Sequence, residues 1–325
     1  MKPPRQTYQK LLIDGSHLMH RATYSYGGLS YIDENGEEIF TGSVFGFLKI
    51  LVKVWRQYAQ QDSQLVICWE GGYKHRTALY PAYKANRYPV PANEEEREEQ
   101  QESKAKFFSQ MDLLREVANL AGWAQARASG YEADDTLATL ARSYSEKGET
   151  VAIYSGDRDM HQCVSDLVHI VSAQPGGGSK PDFIWTPEKV LEEWSVPPSR
   201  VAEAKALAGD SGDNIPGCPG CGVGWAAKLL NSAESLDRLF LIASVRTLSG
   251  VYQNKPWKSE GMTKKILDNR DLILTSWELS KTVSDAPVQI SQEQSQTEAL
   301  LERLVALRFH SLVTEKAFAE ILTLR

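Results

Sequence analysis

The sequence predicts an α/β fold with a mainly parallel central sheet flanked by helices. Short β-rich runs alternate with amphipathic helical stretches, and three of those runs end in an acidic residue. The first run, Lys10–Ile13, predicts a strand. A hairpin follows around the Asp33-Glu34-Asn35-Gly36 turn, then a helix from about Ser43 to Tyr58 with Val44, Phe47, Leu48, Leu51 and Val54 at helical spacing. Gln64–Trp69 is the second strand, and residues 105–121 and 133–146 read as helices. Thr150–Tyr154 and Leu167–Val171 complete the set of predicted strands.

Two segments break the rhythm. Residues 74–104 begin basic and aromatic, with Lys74, His75, Arg76, Tyr80, Tyr83, Lys84, Arg87 and Tyr88. After Pro89 and Pro91 they turn acidic through Glu94–Glu102, which reads as a solvated helical face. Residues 174–182, with Gly176-Gly177-Gly178, read as a flexible loop or lobe boundary, and the chain beyond them as mostly helical. The expected domains are therefore a core over 1–182 and a mainly helical lobe over 183–325.

At 325 residues, with 42% hydrophobic and 24% charged residues, the chain has the composition of a globular protein with a real core. No apolar run is long enough to span a membrane. Met1-Lys2-Pro3-Pro4-Arg5 leads only into a short apolar run ended by Asp14, so no signal peptide is expected and a cytoplasmic location is. Cys218 and Cys221 have C-x-x-C spacing, but no second pair or nearby His completes a zinc site. They read as small apolar fillers in a reducing compartment. A net charge of −6 disfavours a generic nucleic-acid binder, while leaving room for an enzyme that gathers carboxylates on bound cations.

The acids are the strongest signal. Open parallel sheets bind ligands beyond the carboxyl ends of their strands. Leu11-Leu12-Ile13 ends in Asp14, Val66-Ile67-Cys68-Trp69 ends in Glu70, and the run Val151–Gly156 ends in Asp157, with Asp159 two residues on. Glu132-Ala133-Asp134-Asp135 opens a helix, and Gly209-Asp210-Ser211-Gly212-Asp213 follows another. Any one of these could simply cap a helix. Together they need counter-charge, since two carboxylates about 4 Å apart repel by about 4 kcal/mol at an effective dielectric near 20. Oxygen-only ligands suit Mg²⁺ or Mn²⁺ rather than zinc. Two such ions about 3.5–4 Å apart clamp both the attacking and leaving oxygens of a phosphodiester.

The second signal is Asp213–Leu230, with glycines at 217, 220, 222 and 224 ahead of a helix carrying Lys228 in its first or second turn. Gly217, Gly220, Gly222 and Gly224 permit tight turning and close backbone approach. The helix N-terminus and Lys228 suit a phosphate.

At these residues the sequence resembles the 5′-nuclease or flap endonuclease family, which includes the N-terminal nuclease domain of bacterial DNA polymerase I and stand-alone bacteriophage relatives. The likeness runs from about Leu11 to Leu230. It rests on Leu12-Ile13-Asp14-Gly15, Tyr80-Pro81-Ala82-Tyr83-Lys84-Ala85-Asn86-Arg87, Gly130-Tyr131-Glu132-Ala133-Asp134-Asp135, Gly156-Asp157-Arg158-Asp159 and Gly209–Gly217.

The resemblance implies a PIN-like core with a helical arch at about 74–104 and a helix–three-turn–helix at about 203–230. It implies a metal-dependent 5′-3′ exonuclease and structure-specific 5′-flap endonuclease using two Mg²⁺ or Mn²⁺ ions. Asp14, Glu70, Glu132 and Asp134 match the acids of a first metal site. Asp134, Asp135, Asp157, Asp159, Asp210 and Asp213 match those around a second. Lys84 and Arg87, with Arg76 upstream, match basic residues that steer the scissile phosphate and stabilise developing charge. The hairpin would grip the DNA duplex backbone, with K⁺ as a further ligand, and Lys264 and Lys265 with Lys255 and Lys258 would extend that surface. The implied partners are flapped, nicked or recessed DNA, an RNA–DNA hybrid, and a replication polymerase or single-strand-binding protein. The protein itself is expected to be a stand-alone monomer in the cytoplasm of a bacterium or phage-infected cell. The chain departs from the family pattern at Glu70, where aspartate is usual, and at Cys218 and Cys221, where apolar residues are usual. Two rivals remain on residues alone: a PIN-type ribonuclease and a catalytically weak DNA-junction binder.

Overall fold

The computed structural model describes residues 6–87, 91–174, 181–249 and 260–324. Tyr88, Pro89, Gly176–Gly178, Lys255 and Lys258 lie outside them. The chain opens with β1 (Tyr8–Asp14) and α1 (Gly15–Tyr26), the hairpin β2 (Ser30–Ile32) and β3 (Glu38–Phe40), and α2 (Gly42–Tyr58). Next come β4 (Ala59–Trp69), α3 (Lys74–Leu79), α4 (Glu94–Ala121), β5 (Ala124–Arg127) and α5 (Ala133–Ser145). β6 (Val151–Tyr154), β7 (Val168–Ser172), β8 (Phe183–Trp185), α6 (Pro187–Trp194), α7 (Val201–Ala208) and α8 (Val223–Ala233) follow. The chain closes with α9 (Leu236–Ser249), α10 (Glu260–Asp268), α11 (Arg270–Ser280), β9 (Gln289–Ser291), α12 (Thr297–Ala306) and α13 (Glu315–Leu322).

Among the described residues one seven-stranded sheet runs in the order β8-β7-β6-β1-β4-β5-β9. Its five central strands are parallel, and only the edge strands β8 and β9 pair antiparallel. The connections run from β1 through β4 to β5 on one side, then return through β6 to β7 on the other. The winding therefore reverses between β1 and β6. A crevice opens at such a point beyond the strands' carboxyl ends, where Asp14 and Asp157 stand.

Alternate side chains feed two cores, as the pleat requires. Leu12, Val66, Cys68 and Ile153 pack on one face with Leu137 and Leu140 of α5 and Leu207, Leu229 and Leu230 of the helical lobe. Leu11, Ile13, Leu65, Ile67 and Trp69 pack on the other with α1, α2, the C-terminal half of α4, and α12. Each fully buried leucine or isoleucine contributes about 1.5–3 kcal/mol. The lobe and the sheet thus share one apolar core, with Cys218 and Cys221 buried in it as free thiols.

The structure redraws three expectations. The helix expected over 105–121 starts at Glu94, capped by the Asn93 side chain, which accepts from the Glu96 amide at 2.8 Å. Its first three turns are polar all round and so carry no apolar period. Acids at the positive end of the helix and the Glu94–Arg97 and Glu102–Lys106 pairs support them instead. The acidic run is therefore an exposed helical face. β5, two alanines in four residues, escaped sequence reading because alanine carries little strand signal. Finally, β8 and β9 both join the sheet, which draws strands from both sides of the expected boundary at residue 182.

Candidate active site

A cleft of about 660 Å³ lies beyond the carboxyl ends of β1, β4 and β6. Asp14, Glu70, Glu132, Asp134 and Asp157 line it together with Lys84 and Arg87. Each acid is set by its local backbone. Asp14 ends β1 and caps α1, accepting from the His17 amide at 2.9 Å and from the Ser155 hydroxyl at 2.8 Å. Ser155 thereby ties β1 to β6 across the reversal point.

Glu70 follows β4, and its Oε2 accepts the Ala133 amide at 3.2 Å, so the longer side chain reaches the N-terminus of α5. Gly71 makes this approach possible. Its amide donates to the Tyr131 carbonyl at 2.9 Å, and a Cβ there would meet the Ala128 carbonyl oxygen at 1.8 Å. Glu132 precedes α5, whose first turn carries Asp134 and Asp135 at the positive end of the helix dipole.

Burial and mutual repulsion shape the charges. Desolvation, with Asp157, Asp14, Glu132 and Asp159 adding repulsion, pushes Asp134 well above the usual carboxylate range. Burial also raises Asp14, against the lowering effects of His17 and Ser155. Glu70 opens to solvent at the cleft mouth, yet desolvation by the surrounding walls and then the charge of Glu132 push it up to about 7. Among the described residues Asp134 accepts no hydrogen bond and forms no ion pair. A carboxylate so placed among four others calls for a cation.

A second acidic group adjoins the cleft. Asp159, Asp210 and Asp213 each bring one oxygen within 4.8 Å of the others. Lys205 of α7, buried, pairs with Asp159 and, at 2.7 Å, with Asp210. Burial pushes Asp159 up to about 6 despite that lysine. Burial also acts to raise Asp210, but Lys205 and the Gly212 and Asp213 amides outweigh it and hold Asp210 low. The two groups are bridged by Tyr83, whose hydroxyl lies 2.8 Å from Glu132 and 3.2 Å from Asp213. Lys84 also spans them, bonding Glu132 and lying 3.7 Å from Asp213. Arg87 pairs with Asp213. Lys84 takes a left-handed backbone, φ 56°, held by its amide bond to the Asp213 carbonyl at 2.9 Å.

Two expected site residues sit elsewhere. Arg76 is not poised for a phosphate. It is buried, and its guanidinium donates to Glu132 (2.9 Å), twice to Asp135 (2.7 and 2.8 Å) and to the Leu279 and Lys281 carbonyls (3.1 and 2.8 Å). Asp135 is fully buried, and its remaining capacity goes to the Glu132 and Val283 amides at 3.0 and 2.8 Å. It does not line the cleft with the other acids, so this pair is a structural brace between α3, α5 and the end of α11. Conversely, sequence reading missed Lys205, Tyr83 and Ser155, whose partners are distant in the chain. It also missed Arg115 and Arg127, which line the cleft.

The glycine hairpin joins α7 to α8. Gly217 is packed so closely that a Cβ would meet the Gly209 nitrogen at 2.3 Å, and Gly220 has φ 79°. Gly222 and Gly224 face open space, beside exposed Val223, Trp225 and Lys228 at the start of α8. The first two glycines shape the turn, and the last two leave its surface open to a ligand's backbone.

Residues 9–195 match the family described as "5'-3' exonuclease, N-terminal resolvase-like domain", and residues 196–302 match "5'-3' exonuclease, C-terminal SAM fold". A 5'-3' exonuclease of Bacillus subtilis (strain 168) is 32% identical over 288 residues, covering 88% of this chain and 90% of that protein. The thermostable DNA polymerase I of Thermus aquaticus is 32% identical over 313 residues, 95% of this chain but 33% of the polymerase. The chain thus spans about a third of that relative's length. Among solved structures, the T5 D15 protein co-crystallised with metal ions has a TM-score of 0.64 at 15% identity, with 97% of each chain covered. The catalytic core of Rad2 in complex with DNA substrate has a TM-score of 0.58 at 13% identity, with 98% of this chain and 92% of that one covered. At such identities these two likenesses bear on the fold. The two sequence matches together take in nearly the whole chain, and on them the chain belongs to the 5′-3′ exonuclease family.

Proposed function

We propose that the chain is a divalent-metal-dependent 5′-3′ exonuclease and structure-specific 5′-flap endonuclease, hydrolysing DNA and the RNA of primer–DNA hybrids to leave 5′-phosphates. The observation that carries this reading is Asp134, a half-buried carboxylate without a hydrogen bond among the described residues, raised by the charges of four other acids around it. The oxygen-only donor set fits Mg²⁺ or Mn²⁺.

Asp14, Glu70, Glu132 and Asp134 would hold one ion, and Asp157, Asp159, Asp210 and Asp213 would serve the other. Asp135 drops out of this set, since both of its oxygens are already engaged. When bound, the ions supply Lewis-acid stabilisation of the phosphodiester oxygens and a water of lowered pKa.

The chain's own residues do the rest. Lys84 and Arg87 offer positive charge at the cleft wall and exchange part of their carboxylate pairing for the scissile phosphate. Tyr83 keeps Glu132 and Asp213 in register with one another. The open face of the glycine hairpin, with Lys228 and the N-terminus of α8, takes the duplex backbone without reading sequence. A K⁺ ion at that turn, a monomeric state, a cytoplasmic setting and recruitment by a replication polymerase or single-strand-binding protein complete the proposal.

Flap cleavage with Mg²⁺ or EDTA tests it, alongside DNA binding in Ca²⁺. Asp134→Asn and Asp157→Asn should lose Mg²⁺-dependent cleavage and keep binding. Turnover at the wild-type rate in either variant would sink the reading.

A further inference from the structure

We propose that Arg115 and Arg127 form a second phosphate-binding wall of the cleft, holding a backbone phosphate that flanks the scissile one. This rests on the reading that the cleft takes nucleic acid.

The sheet order sets the geometry. Along its carboxyl edge stand Asp157 after β6, Asp14 on β1 and Glu70 after β4, and the next strand, β5, ends in Arg127. Arg127 is therefore about 4.8 Å, one strand spacing, beyond the strand that carries Glu70. It is in register with Trp69. Its neighbours Ala124 and Ala126 pack into the opposite core, so Arg127 shares the sheet face of Trp69 and α4. From α4, the Arg115 guanidinium lies over the Trp69 ring, 5.4 Å from its centre. Both arginines line the cleft.

Their charge is available, whereas that of the opposite wall is largely committed. Lys84 pairs with Glu132 and Arg87 with Asp213. Among the described residues the one carboxylate Arg115 pairs with is Asp112, at 3.5 Å and with both side chains exposed, a pairing worth little. Among the described residues, Arg127 is the one lysine or arginine of the cleft with no carboxylate within ion-pair distance, and it is exposed. A chain of net charge −6 with five acids in its cleft must offset that field to admit a polyanion. A free guanidinium fork beside one already stacked on an indole matches a phosphate's two oxygens.

The test measures flap-DNA affinity in Ca²⁺ across a NaCl series, and KM and kcat in Mg²⁺, for Arg127→Ala, Arg127→Glu, Arg127→Lys and Arg115→Ala. Arg142→Ala, on the exposed face of α5, is the control. Arg127→Ala should raise Kd and KM about tenfold, Arg127→Glu further, with kcat within about twofold and lysine, which keeps the charge but not the fork, restoring only part of the loss. The slope of log affinity against log salt should fall by about 0.9 for each contact removed. Wild-type affinity and slope in Arg127→Glu overturn the assignment, as does weaker binding with an unchanged slope. A wild-type protein that neither binds nor cleaves flap DNA overturns the underlying reading as well, so the two failures are told apart.

Discussion

Replacing Arg76 with methionine should damage stability before it damages DNA recognition. The guanidinium makes five hydrogen bonds, two of them to the fully buried Asp135. Glu132 would keep Lys84 and Tyr83, but Asp135 would be left with two backbone amides and the His75 ring at 3.8 Å. Stranding one member of a buried ion pair costs about 3–5 kcal/mol. In a chain of this size that lowers the melting temperature by roughly 4–7 °C. The double variant Arg76→Met/Asp135→Leu removes both charges and should recover much of the loss. Thermal melts of the metal-free protein, with flap cleavage measured well below both transitions, decide the matter. If Arg76→Met melts with the wild type yet loses cleavage through a raised KM, Arg76 contacts phosphate and the brace is wrong.

Three further outcomes follow from the same geometry. With Glu70 raised to about 7, Asp159 to about 6, and Asp14 and Asp134 also raised, the metal-free folded state binds more protons than the unfolded chain. Its stability is therefore greatest below the ordinary carboxylate range and falls as pH rises towards about 7. Asp210, held low, acts in the opposite sense but below that window. Mg²⁺ displaces those protons, so its stabilising increment in a melt should grow from about pH 5 to about pH 8, and an increment flat in pH contradicts the shared metal site. Gly217→Ala, whose Cβ meets the Gly209 nitrogen at 2.3 Å, should destabilise by about 1–3 kcal/mol. Gly224→Ala meets nothing within 4 Å and should leave stability unchanged or better by up to about 1 kcal/mol. A loss of duplex affinity in Gly224→Ala alone then reports close backbone approach, and equal stability loss in both refutes the distinction. Tyr83→Phe keeps the ring and deletes a hydroxyl shared by Glu132 and Asp213, costing about 1.5–3 kcal/mol. It should raise the Mg²⁺ concentration for half-maximal cleavage, and an unaltered Mg²⁺ dependence removes Tyr83 from the site.

The sheet was legible because its strands obey simple patterns: Leu11-Leu12-Ile13 and Val66-Ile67-Cys68 are apolar runs covered on both faces. The acids were legible for the same reason, since a parallel strand delivers its next residue to the ligand edge. What stayed hidden depended on partners far along the chain. Arg76 belongs to a basic stretch, and nothing local tells a buried brace from an exposed phosphate contact when the deciding partner is Asp135. Lys205 is one lysine in an alanine-rich helix until folding sets it between Asp159 and Asp210. Arg127 ends a strand too short and alanine-rich to be seen, so its place beside Glu70 emerges only with the sheet order. The long polar start of α4 likewise lacks an apolar period, because it has no core to face.

We propose that the carboxylate cleft and the glycine hairpin together cut DNA near a 5′ end. Mapping the cut positions on a 5′-flap duplex labelled on either end of the flapped strand, with Mg²⁺ and with EDTA, tests it most directly. Cleavage should require Mg²⁺, fall within a few nucleotides of the junction, leave 5′-phosphates, and vanish in Asp134→Asn while binding in Ca²⁺ persists. Cutting that is indifferent to the 5′ end, or that survives EDTA or the loss of Asp134, would contradict it.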